Sequence, residues 1–167
     1  REPAFEILQE NGSRISDFVY ESHKIYDGKP ELQGLPAVYV EEKEEAQTLE
    51  IILRDSLTGA KMTLYYTIMR DFPVITRSMT LENDGDQSFD LTRAMSACLD
   101  LPDKDYEWIQ LSGAWARERE IKTRKLEQGI QSVGSLRGNS SHNHNPFIAL
   151  KRQSADEFQG DVIGMSL

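Results

Sequence analysis

Six consecutive residues, Ser140-Ser141-His142-Asn143-His144-Asn145, place hydroxyl, amide and imidazole groups side by side. All of them can donate and accept hydrogen bonds. Such a block either knits a long loop together or faces a polar ligand such as a sugar, and the residues leave both readings open. His142 and His144 stand at i and i+2, which puts them on one face of an extended segment where a metal ion could sit. A zinc site takes three or four protein ligands. The remaining candidates, His23 and Cys98, lie at no informative spacing, so a hydrogen-bonded loop is expected and no metal. Ser141, His142 and an aspartate assemble a triad only on paper, because nothing resembles a nucleophile elbow. Among 28 Asp and Glu some carboxylates always lie close together, so a hydrolytic pair is not defined by spacing.

Two tryptophans extend the list. An indole face can stack on the apolar face of a hexose, and Trp115, beside Ser112-Gly113, suits this better than Trp108. Core packing is the competing role for both, since large aromatics dominate core energetics. Arg117 and Arg119 alternate with Glu118 and Glu120, which fits a self-neutralising exposed face or a subunit contact.

The elements that must position these groups read as strands. Period-two alternation runs through residues 4–9, 15–20, 48–54, 61–70, 74–83, 106–111 and 147–151. Asn11-Gly12 predicts a hairpin between the first two. Residues 23–36, with Asp27-Gly28, Lys29-Pro30, Gly34 and Pro36, predict a long irregular loop, followed by a short strand over 37–40 and a solvated acidic run over 41–45. Asp55 to Gly59 joins the next two strands as a hairpin, and Asp84-Gly85 turns the chain into a strand over 89–101. Helix and strand propensities compete in that last run, and alternation favours strand. Gly113 is expected to interrupt before an exposed strand over 115–124, and Asp156 to Gly160 to make the last hairpin turn. Many short strands separated by turn signals predict an all-β, antiparallel sandwich.

Composition narrows the function classes. The net charge of −9 disfavours nucleic acid, which needs a basic stripe. The one cysteine, Cys98, cannot close an intramolecular bridge, which fits a reducing, cytoplasmic setting. No apolar run is long enough to cross a bilayer, so no membrane partner is expected. Arg1-Glu2-Pro3 resembles an internal cut and the final residues stop in mid-strand, so a piece of a longer protein is expected.

The motifs then carry a resemblance. Arg1-Glu2-Pro3-Ala4-Phe5, Glu10-Asn11-Gly12-Ser13-Arg14-Ile15, Leu111 to Arg119, Gly129-Ile130-Gln131-Ser132 and Arg137 to Phe147 are similar, in this order, to the amino-terminal domain of bacterial family-36 α-galactosidases. The resemblance implies one domain over residues 1–167, a β-supersandwich of two large packed sheets placed before a (β/α)₈ barrel. It implies that the barrel carries the catalytic aspartate pair of a retaining glycosidase, that this chain carries no catalytic residue, and that no cofactor is used. The parent is expected to remove terminal α-galactose from melibiose and raffinose-type sugars. The partners implied are the barrel, other copies in a homotetramer, and the α-galactoside. Candidates for touching sugar are Arg1, Arg14, Trp115, His142, His144 and Asn145; the segment from Arg1 to Arg14 and the Tyr26 to Pro36 loop are expected to approach a neighbour's active site.

Overall fold

The structure, a computed structural model, describes residues 3–34, 37–137, 141 and 143–166. Among them there is no α-helix. Ten antiparallel strands and one short 3-10 turn at Lys43–Glu45 carry the regular structure. The chain divides into two compact units, Arg1–Cys98 and Leu99–Leu167.

The first unit holds β1 (Phe5–Gln9), β2 (Phe18–Asp27), β3 (Ala46–Asp55), β4 (Ala60–Met69), β5 (Ile75–Asn83) and β6 (Phe89–Ala94). Strands β2-β3-β4-β5 form a four-stranded meander, and β1 pairs with β6 in a two-stranded ribbon. The cross-strand rows Ile25–Leu49–Tyr66, His23–Ile51–Leu64–Met79 and Tyr20–Leu53–Met62–Leu81 make one face of the meander apolar. Ribbon and meander meet through an edge-to-face contact of Phe5 and Phe18, 5.2 Å between centroids. Arg77 adds donation from its guanidinium to the Met95 and Ser96 carbonyls. Ile7, Ala60 and Met62 are fully buried. The opposite face carries Thr48 and Thr67, buried hydroxyls 2.7 Å apart, with Thr48 donating to the Gly28 carbonyl at 2.6 Å. Asp55, also buried, closes the β3–β4 turn by accepting from the Asp17 and Leu57 amides and the Thr58 hydroxyl.

The second unit holds β7 (Tyr106–Ala114), β8 (Arg117–Lys125), β9 (His144–Arg152) and β10 (Val162–Ser166), ordered β10-β9-β7-β8. Among its described residues the buried ones are Tyr106, Ala149 and Leu150.

Antiparallel all-β structure, the Asp55–Gly59 hairpin and the hairpin around Asp156 to Gly160 agree with expectation. Several pairings differ. The Asn11-Gly12 turn forms, with the Gly12 amide donating to the Gln9 carbonyl, yet β1 does not pair with the segment after it. That segment enters β2, which pairs along its length with β3. Ten-residue pairing on an apolar face outweighs a five-residue local hairpin, because burial sums over the strand. For the same reason His23 to Asp27 lie in β2 rather than in a loop; irregular backbone begins at Gly28, whose φ of 95° ends the strand. Ala37 to Val40 form no strand, and Val38 and Tyr39 stand exposed. β6 stops at Ala94, not at residue 101, because β1 offers partners only as far as its own start. Gly113 does not interrupt β7; it lies within it, at a shift in register.

Candidate functional site

Gly113 is the pivot around which the polar block of the second unit is built. A methyl group placed on it would run into the Arg117 carbonyl oxygen and come within 3.0 Å of Glu118 Cα. Only glycine therefore lets β8 return this closely along β7, and the register shift between Ser112 and Ala114 follows. The turn above it is Trp115-Ala116. Ala116 sits at φ 62° and Arg119 at φ 57°, in the left-handed region that is uncommon for residues with a side chain. Glu118 holds the turn by accepting the Ala116 amide proton at 2.8 Å.

The same glycine ties the hairpin to the polar block. Its amide donates to the Asn143 carbonyl at 2.8 Å. The Ser141 hydroxyl accepts from the Asn143 amide at 3.3 Å, and the Ser141 carbonyl from the His144 amide at 3.1 Å. His144 pairs with Ser112 across the sheet, and its Nδ1 lies 3.2 Å from the Asn145 carbonyl oxygen. The side-chain oxygens of Asn143 and Asn145 are buried with no hydrogen-bond partner among the described residues. His144 and Asn145 are thus brought together with Ser112 and Gly113, and the bonds that are present fix a turn. Among the described residues no three His, Cys, Asp or Glu side chains gather as a metal site would need.

Trp115 is 88% exposed at the hairpin tip. Trp108 is part-buried, with the Arg124 guanidinium over its ring at 4.7 Å, so that face is already covered. Arg14, in the first unit, is exposed and paired through Nε to Glu6 at 3.2 Å. The Thr92 hydroxyl, 2.8 Å from the Glu6 carboxylate, and then Arg14 hold the Glu6 carboxyl below its ordinary value against the opposing effect of desolvation. Arg1 and His142 lie outside the described residues.

Two constellations were missed by the sequence reading. Arg152 forks onto Asp103 at 2.6 and 3.1 Å, donates to the Asp105 carbonyl, and lies over the Tyr106 ring at 4.0 Å. The Arg152 hydrogen bonds lower the Asp103 carboxyl below its ordinary value, with help from the Asp105 amide. Asp103, Asp105 and Arg152 border an open depression of about 520 Å³ with Gln153 and Ser154. Pro102-Asp103-Lys104-Asp105 has turn composition, but nothing in that run points to a partner 49 residues on. On the first unit, Glu50 sits between Lys24 at 3.0 Å and the Tyr26 hydroxyl at 3.4 Å. Burial, and then the Glu50 charge, push the Tyr26 phenol up.

The family model described as the glycosyl hydrolase family 36 N-terminal domain matches residues 1–167. The α-galactosidase AgaA of Geobacillus stearothermophilus is 52% identical over 166 residues, 99% of this chain and 23% of that protein. Its crystal structure superposes with a TM-score of 0.94 over 98% of this chain and 23% of its own, and another structure is of an AgaA variant in complex with raffinose. The Lactobacillus brevis α-galactosidase structure gives a TM-score of 0.93 at 41% identity, covering 98% of this chain and 22% of that one. The chain therefore spans less than a quarter of the length of these relatives.

Proposed function

We propose, since this chain belongs to the glycosyl hydrolase family 36 N-terminal domain family, that it serves as the non-catalytic amino-terminal domain of an α-galactosidase acting on melibiose and raffinose-type sugars. The observation that carries this reading is the agreement in sequence and fold along nearly the whole chain with one part of enzymes four times as long. Residues 1–167 act as one domain in this reading. Hydrolysis with retention belongs to an aspartate pair in a following (β/α)₈ barrel, without a cofactor.

The domain's work is then to pack on that barrel, support a cytoplasmic homo-oligomer, and bring loops near a neighbouring active site. The apolar face of the meander supports a packing role. Ile25, Ile68 and Ile75, exposed by 61, 53 and 70%, lie on that one face, an arrangement monomers seldom leave to solvent. The candidates for sugar contact are Arg14 on the amino-terminal segment and Trp115, His144 and Asn145 at the hairpin end, together with Arg1 and His142, which lie outside the described residues. A second reading, an independent galactoside-binding module, is favoured by the exposure of Trp115.

Galactose release from melibiose and raffinose tests the first reading, measured on the 167-residue chain and on the longer polypeptide that carries it. Turnover by the longer protein alone is expected. Turnover by the short chain would put catalysis in the wrong place, and none by the longer protein would remove the activity. Calorimetry of the short chain with the same sugars tests the second reading, which requires millimolar or tighter binding.

A further inference from the structure

Of the five asparagines in the chain only Asn11 is followed by glycine. Both residues of the pair are exposed, and Gly12 stands at φ 82° with open space where a side chain would lie. Nothing therefore crowds the Gly12 nitrogen, and its backbone turns freely. The Asn11 side chain is held over this nitrogen. Its Oδ1 accepts the Ser13 amide proton at 2.9 Å, the local bond by which asparagine mimics a backbone turn. The ring of atoms closed by this bond contains the Gly12 nitrogen, so the carboxamide is folded toward it. The same donor draws electrons from Asn11 Cγ and makes that carbon easier to attack.

We propose that Asn11 is a site of spontaneous covalent modification, with water as the only co-reactant. The Gly12 nitrogen gives its proton to a solvent base and bonds to Asn11 Cγ. Charge then develops on Oδ1, where the Ser13 amide already donates. The bond from Cγ to the side-chain nitrogen breaks and ammonia leaves with a proton, which closes a succinimide ring. Water opens the ring at either carbonyl. One product is aspartate at position 11; the other is isoaspartate, whose main chain runs through the former side chain. Each product adds one negative charge.

Only one bond of the turn opposes closure, the Gly12 amide donating to the Gln9 carbonyl at 2.9 Å. Opening one such bond slows the reaction about fivefold. Elsewhere the chemistry is held back harder. The Asn83 carboxamide is bound at both ends, its nitrogen donating to the Gln87 carbonyl at 2.9 Å and its oxygen accepting the Gly85 amide at 3.1 Å. Of the two Asp-Gly pairs, Asp27-Gly28 has a buried glycine whose amide donates to Ala46 at 2.7 Å, and Asp84 is paired with Arg54. The modification also has a structural reach. Gln9 donates from its amide to the Ser13 carbonyl at 2.9 Å and from Nε2 to the Ile15 carbonyl at 2.7 Å. Isoaspartate lengthens the main chain inside the loop these bonds close, so it resets how the segment carrying Arg14 leaves β1.

The test ages the longer polypeptide at neutral and mildly alkaline pH, digests it, and follows the Asn11 peptide by mass spectrometry. Isoaspartate is read by labelling with isoaspartyl methyltransferase, so no step depends on activity. Loss of ammonia followed by gain of water is expected, with both isomers formed and a rate that rises in proportion to hydroxide. The folded protein should react within about tenfold of the same protein in urea, and at least about tenfold faster at Asn11 than at Asn83. Asn11→Gln, which requires a larger ring, should lose the label at this position. Aspartate without isoaspartate would mean direct hydrolysis and would overturn the mechanism. Greater protection in the folded protein, or no faster reaction at Asn11 than at Asn83, overturns the site.

Discussion

Replacing Gly113 by alanine puts a methyl group where the Arg117 carbonyl oxygen already stands, with Glu118 Cα 3.0 Å away. Both obstacles are backbone, so no side chain can swing aside. Either β8 moves off β7 or the local pairing opens. Forced overpacking costs about 1–3 kcal/mol. Moving the hairpin also loosens the bond from the Gly113 amide to the Asn143 carbonyl, worth about 1 kcal/mol. The expected loss is thus about 2–4 kcal/mol, a large part of the ~5–15 kcal/mol that holds a typical fold. Urea unfolding followed by tryptophan fluorescence suits the measurement, because Trp108 and Trp115 both lie in the hairpin strands or their turn. With a slope of about 2 kcal/mol/M the midpoint should fall by roughly 1–2 M. Gly134→Ala is the control. Nothing lies within 4 Å of its added methyl, and its backbone is not left-handed. It should be neutral or stabilising by up to ~1 kcal/mol, since alanine restricts the unfolded chain. A Gly113→Ala midpoint indistinguishable from wild type would refute the close approach of β8 to β7.

Thr48→Val should cost about 1–3 kcal/mol by leaving the Gly28 carbonyl and the Thr67 hydroxyl unpaired in a buried place. Thr67→Val should cost less and the double variant less than the sum, which a double-mutant cycle in urea would read out. Asp103 has its carboxyl lowered by Arg152, so its contribution to stability is present above its ordinary value of 3.8 and is lost as pH falls through the lowered one. The melting-temperature gap between wild type and Asp103→Asn should therefore be constant near neutrality and close in acid; a gap that persists there would contradict the fork. In the longer polypeptide, Arg14→Ala should raise KM for raffinose by about tenfold or more, the worth of one charged hydrogen bond, with kcat unchanged. Unchanged kinetics would strike Arg14 from the sugar contacts.

What the residues determined unaided was local. Alternation with period two gave the strand character of nearly every paired segment, and Asp55 to Gly59 and Asp156 to Gly160 announced their hairpins because turn geometry is set by a few adjacent backbones. The long motifs around Trp115 and Asn145 carried the family, which the match over residues 1–167 bears out. What only the tertiary structure decided was partnership and exposure. β1 chose β6 over its sequence neighbour, and β2 extended through His23 to Asp27 once β3 offered it an edge. Trp108 is sheltered under Arg124 while Trp115, seven residues on, stands in solvent, because a turn intervenes. Asp103 found Arg152 across the whole hairpin. Such choices depend on burial and pairing summed over segments far apart in the chain, and no short window of sequence contains that sum.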